Sequence, residues 1–149
     1  MITVLQRVSR AAVTVDGKIV SQIGAGLLLL AGLEKGDTDN DLNYTARKTV
    51  ELRIFPDDEG KMNRSVVEHG GAILAVSQFT LAGNIQKGRR PSFDTALPPD
   101  EARILFDRFV TELTALGVSV STGSFGAHME VSLLNDGPVT FIVDSHKRV

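Results

Sequence analysis

The sequence predicts a mixed α+β (α/β) domain over residues 1–149, a layered structure of mixed, largely antiparallel β-sheet with two main helices. Three observations carry that prediction. A β-branched, alternating segment opens the chain and meets an Asp-Gly turn. Two short, wholly apolar runs follow, each entered through glycine. Two stripes of apolar residues at helical spacing lie between and after them.

Taken in order, residues 2–15 alternate apolar with polar side chains at the strand period of two. Asp16-Gly17 closes a hairpin, because both central positions of a two-residue turn need positive φ, and residues 18–23 form the return strand. The run 26–33 is too short for a typical helix and is expected as a buried central strand. Asp37-Thr38-Asp39-Asn40-Asp41 supplies capping side chains and negative charge, and a helix follows with Leu42, Ala46, Thr49, Val50 and Arg53 on one stripe. Pro56 to Gly60 ends that element as a turn. Residues 72–79 form a second buried strand that passes from apolar to polar at its end, and residues 82–97 form a long loop. Pro98-Pro99 starts the second helix, whose face is Ala102, Leu105, Phe106, Phe109, Val110, Leu113 and Leu116, with Gly117 placed to end it. Residues 118–122, 128–134 and 139–144 read as three closing strands, the last two separated by a turn at Asn135 to Pro138.

Composition excludes several classes of function. The chain has no cysteine, which removes disulfides, thiolate metal sites and a cysteine nucleophile, and fits the reducing cytoplasm. Its longest apolar run, residues 23–33, is far below the roughly 20 residues needed to span a bilayer, and Arg7 and Arg10 interrupt the place a secretory leader would occupy. The mature protein is expected to start at Met1 and to have no membrane partner. A net charge of −2 means that a nucleic acid can be held only by a local basic patch. No Walker loop, dinucleotide fingerprint, His-Glu-x-x-His or calcium loop is present, so neither a metal nor a cofactor is expected.

Three polar features remain. Ser77-Gln78-Phe79-Thr80 ends a buried strand, where a rigid sheet aims groups into an open loop. Lys87-Gly88-Arg89-Arg90 carries three positive charges with no acid between Ala82 and Phe93, which suits either a solvated loop or phosphate contact. Asn135-Asp136-Gly137-Pro138-Val139-Thr140 lies between two strands, and composition leaves its Gly-Pro bond open between cis and trans. A hydroxyl nucleophile needs a base, and only His69, His128 and His146 could supply an imidazole; none is close to these motifs in sequence.

These motifs, in this order, with Gln6-Arg7-Val8-Ser9-Arg10 ahead of them and Pro91-Ser92-Phe93 after the basic loop, closely resemble the D-aminoacyl-tRNA deacylase family over residues 1–144. The resemblance implies that family's fold and a homodimeric enzyme that hydrolyses the ester of D-aminoacyl-tRNA, and of glycine mischarged on alanine tRNA, while rejecting L-aminoacyl-tRNA. It implies a catalytic set of Ser77, Gln78, Phe79 and Thr80, with amides near Phe79 and Thr80 facing the substrate carbonyl. Gly137, Pro138, Val139, Thr140 and Arg7 are implied in substrate binding and chiral selection, the Gly-Pro peptide being cis and entering the partner subunit's pocket. Lys87, Arg89 and Arg90 are implied in tRNA binding, with aminoacyl-tRNA the partner and DNA not expected. The 2′-hydroxyl of the terminal ribose would assist, and Thr80 remains a rival nucleophile. A non-catalytic tRNA-binding module and a general small-ester hydrolase are the competing readings.

Overall fold

The structure is a computed structural model and describes residues 1–148. Its sheet is organised by β1 (Ile2–Val15), whose length lets it pair with three strands. One edge of β1 is shared, antiparallel, by β2 (Lys18–Ile23) along residues 11–15 and β3 (Gly26–Gly32) along residues 2–8. The other edge carries β8 (Glu130–Asp144), also antiparallel. Asp16 and Gly17 take φ of 50° and 76° at the first hairpin, the positive values its two-residue turn requires.

Beyond β3 the sheet turns parallel, through β6 (Ala72–Ser77) to β7 (Ser119–Thr122). Gly26 faces Ala72 there, and a side-chain carbon on Gly26 would fall 1.8 Å from the Ala72 carbonyl oxygen. The sheet curls until β2 comes against β6 and β7, giving a barrel-like form. Val8, Ala11, Val13, Ile23, Leu28, Leu74 and Val76 fill the inside of the curl. The opposite face, with Leu5, Leu27, Leu29, Ile73 and Ala75, packs on α1 (Asp39–Glu51) and α2 (Pro99–Ala115).

Both helices form where expected. Asp41 Oδ2 accepts hydrogen bonds from the Thr38 N–H and hydroxyl, each at 2.8 Å, and so fixes the start of α1. α2 buries Ala102, Phe106, Phe109 and Leu113, with Leu105, Val110 and Leu116 packed beside them. Among the described residues no helix is long and apolar enough to cross a membrane.

Four local expectations are corrected. Arg53 lies past the end of α1 and is exposed, while Thr45 takes a buried place on the stripe. The turn at Pro56–Gly60 sits inside a hairpin of β4 (Phe55–Pro56) and β5 (Met62–Arg64), which were too short to show a period. Phe79 belongs not to the strand but to a single 3-10 turn, Phe79–Ala82. The expected strands 128–134 and 139–144 merge into the single strand β8, which begins at Glu130, because β1 pairs with residues on both sides of the Gly-Pro segment.

The C-terminal end of β8 is latched to Glu34, two residues beyond β3. Arg148 donates to Glu34 Oε1 at 3.0 Å and, through Nε, to Asp144 Oδ2 at 2.9 Å. Hydrogen bonding from Arg148 holds the buried Asp144 carboxyl down at about 2, against an ordinary 3.8, and Glu34 is lowered by the same guanidinium. A lowered carboxyl stabilises the fold above its unfolded value and loses that contribution as pH falls. Wild-type stability is therefore expected to drop by up to about 2 kcal/mol from this latch between pH 4 and 2. Urea unfolding of Arg148→Ala across that range should show a shallower drop, and equal slopes for both proteins would refute the latch.

Candidate active site

The polar end of β6 opens into a cavity of about 730 Å³. The apolar residues Ile73 to Val76 bury the strand, so Ser77 and Gln78 emerge at a rigid edge, where the Gln78 N–H donates to the Ala31 carbonyl at 2.8 Å. The 3-10 turn that follows is anchored by buried Ala82 and leaves Phe79 and Thr80 exposed. The first amides of such a turn have no preceding carbonyl of the turn to bond. Those of Phe79 and Thr80 also donate to no backbone group outside it. Gln78 Nε2 donates to Thr80 Oγ1 at 2.5 Å and orients that hydroxyl.

Ser77, Gln78 and Phe79 line the cavity together with Phe93, the segment 96–99, Ala102 of α2 and the segment 125–129. Phe93 meets Phe79 edge to face, with ring centroids 5.0 Å apart. Arg103 lies over the ring of Phe125, 4.6 Å from its centroid, and puts a positive charge beside this wall. His128 is the only titratable side chain among the lining residues. His69 instead stacks on Phe55 at 4.5 Å, and His146 bonds Asp37 at 2.9 Å, so neither stands beside the motifs. Ala102 was legible only as part of the buried face of α2, and Phe125 and Met129 carried no signal of a site.

The basic loop stands off this cavity. Its neck is closed by Asn84 and Ser92, whose backbones exchange bonds of 2.7 and 3.0 Å, and Thr95 Oγ1 ties it to the Ala82 carbonyl at 2.8 Å. Lys87, Arg89 and Arg90 are exposed, and among the described residues no carboxylate lies within salt-bridge distance of them. Glu34, Asp37 and His146 form a group whose possible metal-ligand atoms lie within 4.8 Å of one another. Its acceptors are engaged by Arg148, His146 and the Glu34 N–H, which makes it an ion-pair knot.

The Gly-Pro segment lies elsewhere on the chain. Opposite Arg7, β8 leaves the ladder between the pairs Val8–Asn135 and Gln6–Thr140. Asp136, Gly137 and Pro138 form an exposed tip, whose Gly137-Pro138 peptide is cis, and Val139 returns to the core at 5% exposure. Arg7 Nε donates to the Asp136 carbonyl at 2.9 Å, and Arg7 Nη1 donates to the Ile54 carbonyl at 2.6 Å. Neither Arg7 nor any of residues 135–140 lines the cavity.

An apolar cavity with free amides and hydroxyls at one end, and no carboxylate, can polarise a carbonyl by oriented dipoles. Fold and site together define a small α+β hydrolase. The model of the D-Tyr-tRNA(Tyr) deacylase family matches residues 4–144, and the chain belongs to the D-aminoacyl-tRNA deacylase family. It is 60% identical over 148 residues to the D-aminoacyl-tRNA deacylase of Geobacter sulfurreducens, covering 99% of this chain and 97% of that one. With the enzyme of that name from Symbiobacterium thermophilum it shares 56% over 144 residues, covering 97% and 95% of the two chains. Among solved structures, one described as a c-Myc DNA unwinding element binding protein superposes with a TM-score of 0.93 at 40% identity, over 97% of this chain and 98% of that one. A probable eukaryotic D-amino acid tRNA deacylase has the same fold, with a TM-score of 0.80 at 22% identity over 95% and 97%.

Proposed function

We propose that the protein hydrolyses the ester joining a D-amino acid to the terminal adenosine of tRNA, releasing free D-amino acid and tRNA, and that it rejects the L-ester. Family membership supplies the substrate class. The observation that carries the chemistry is the unengaged amide of Phe79, which lines a cavity large enough for a nucleoside, with that of Thr80 next to it in the 3-10 turn though Thr80 itself is not a lining residue. The adenosine lies against the apolar wall, and its ester carbonyl meets the two amides. Water adds to the carbonyl carbon, the amides hold the developing oxyanion, and the ribose oxygen leaves with a proton. A single such donor is typically worth about 2.7–4 kcal/mol in the transition state. No carboxylate lines the cavity, and His128, its one titratable lining residue, makes no hydrogen bond to the Ser77–Thr80 segment, so the proton relay is assigned to the neighbouring 2′-hydroxyl of the substrate.

Chirality is read by the tip of a second copy. Gly137 and Pro138 are exposed, held from behind by Arg7, and absent from their own chain's cavity, so they are free to enter a partner's. Backbone carbonyls there exclude a side chain in the L position, while glycine, having none, passes; this extends the substrates to glycine mischarged on alanine tRNA. A homodimer is favoured by β8 itself. Among the described residues it pairs only with β1, and it exposes Leu134 and Ile142 by 51% and 55% along an open strand edge. Lys87, Arg89 and Arg90 contact tRNA phosphates, the reaction needs neither metal nor cofactor, and the enzyme acts in the cytoplasm where charged tRNA is used.

Matched D- and L-forms of one aminoacyl-tRNA, incubated with the protein and a chelator, test this reading. Rapid loss of the D-ester alone is expected, and Thr80→Ala is expected to keep turnover within about tenfold, because the Thr80 hydroxyl is bonded to the Gln78 amide and to no base, which makes it a poor nucleophile. Equal loss of both forms, or loss of neither, refutes the chiral reading. Trapping of an acyl-enzyme on Thr80 would overturn its assignment as a bystander.

A further inference from the structure

The Gly-Pro tip projects from a strand that has given up its ladder there, and something must fix its height. Only Arg7 of β1 stands opposite residues 136–139 of β8, so no regular strand pairing spans them. Asn135, half-buried at the neck of the projection, closes it from within. Its Oδ1 accepts from the Val139 N–H at 2.7 Å, and its Nδ2 donates to Thr140 Oγ1 at 3.0 Å and to the Val139 carbonyl at 3.4 Å. Gln6 Nε2 approaches the same Thr140 hydroxyl at 3.5 Å from β1. The two residues where β8 rejoins the sheet are thus tied by one amide side chain to the residue where it leaves.

We infer that Asn135 is a positioning residue for stereochemical selection: its side-chain amide spans the neck of the projection and sets where the Gly137-Pro138 carbonyls stand. This rests on the reading of the tip as the element that excludes L side chains. The chemistry of the neck explains the residue type. The Val139 N–H needs an acceptor, whereas the Val139 carbonyl needs a donor. A carboxamide offers both on one short stem. Arg7 fixes the near end of the tip through the Asp136 carbonyl, and Asn135 fixes the far end, so the two act on different halves of one loop. An exclusion built from fixed backbone atoms works only while those atoms cannot retreat, and losing the neck bonds lets them retreat.

The test is the ratio of D- to L-ester hydrolysis for wild type, Asn135→Ala and Asn135→Asp, with hydrogen exchange at the Val139 amide. Asn135→Ala is expected to lower the D:L ratio by about tenfold or more, the effect of removing two to three modest hydrogen bonds, chiefly by admitting the L-ester. The Val139 amide should exchange faster in the same variant. Asn135→Asp still accepts from the Val139 N–H and can accept from the Thr140 hydroxyl but cannot donate to the Val139 carbonyl, so its ratio should fall between those of wild type and Asn135→Ala. A ratio unchanged in Asn135→Ala overturns the inference, whatever happens to the melting temperature. Should that variant fail to fold, Thr140→Val, which removes the hydroxyl that accepts from Asn135 and Gln6, decides by the same ratio. A wild type that shows no D preference removes the chiral reading and this inference together, whereas a wild-type preference that survives in the variants removes this inference alone.

Discussion

Gly137→Ala is expected to lower D-ester turnover by about 100-fold or more and to erase discrimination against the L-ester. Gly137 has φ of 149°, and a side-chain carbon there would lie 2.6 Å from Val139 Cγ2 and 2.8 Å from the Val139 nitrogen. Neither neighbour can yield easily. Val139 is buried in the core and its amide is held by Asn135, so the tip itself must move. The lost van der Waals space is of the order of an ångström, and a misplacement of about 1 Å can cost 10²-fold in rate. Because the tip is exposed, the movement should leave the melting temperature within a few degrees of wild type. Single-turnover deacylation of matched D- and L-substrates measures both effects. Retention of wild-type selectivity would show that the position of the tip is irrelevant to the chemistry.

The second large effect is expected from joint replacement of Lys87, Arg89 and Arg90 by alanine. A chain with net charge −2 has no general attraction for RNA, so these three cations, unpaired among the described residues and set on a loop with a fixed neck, are proposed to carry a large share of the contact. Removing them should weaken tRNA binding by about 10- to 100-fold near 0.1 M salt and reduce the slope of log affinity against log salt by about 2–3. Turnover at saturating tRNA should change little, since the loop neck at Asn84 and Ser92 stays closed. Titration of tRNA at several salt concentrations provides the slope. Unchanged affinity and slope would place the RNA on another surface.

How far the fold could be read from the residues depended on whether the information was local. Alternation fixed β1, Asp16-Gly17 fixed its hairpin, and the stripe from Ala102 to Leu116 fixed α2, because each rests on neighbours within a turn or two. The Gly-Pro segment misled for the same reason. Locally it has turn chemistry, but β1 pairs on both sides of it, and a pairing across more than 120 residues leaves no mark in the segment itself. The strands β4 and β5 were too short for a period, and the 3-10 turn at Phe79 continued an apolar run into a different backbone. At the site, the motif around Ser77 marked the chemical end of the cavity, whereas its walls at 96–99 and 125–129 come from irregular segments joined only by packing.

The cavity and the Gly-Pro tip of one chain do not meet, and in an assembly of two copies this turns a structural separation into a genetic one. A chain defective at Gly137 still has a sound cavity, and a chain with a blocked cavity still has a sound tip. On the proposed dimer, two such inactive proteins mixed in equal amounts and allowed to exchange subunits would form about half mixed dimers, each with one fully equipped site and one doubly broken. About a quarter of wild-type activity would then return from two preparations that have none. By the same arithmetic a chain defective in only one of the two elements would do no harm beside a normal one, because each mixed dimer keeps one working site, as many as its normal chain would supply elsewhere.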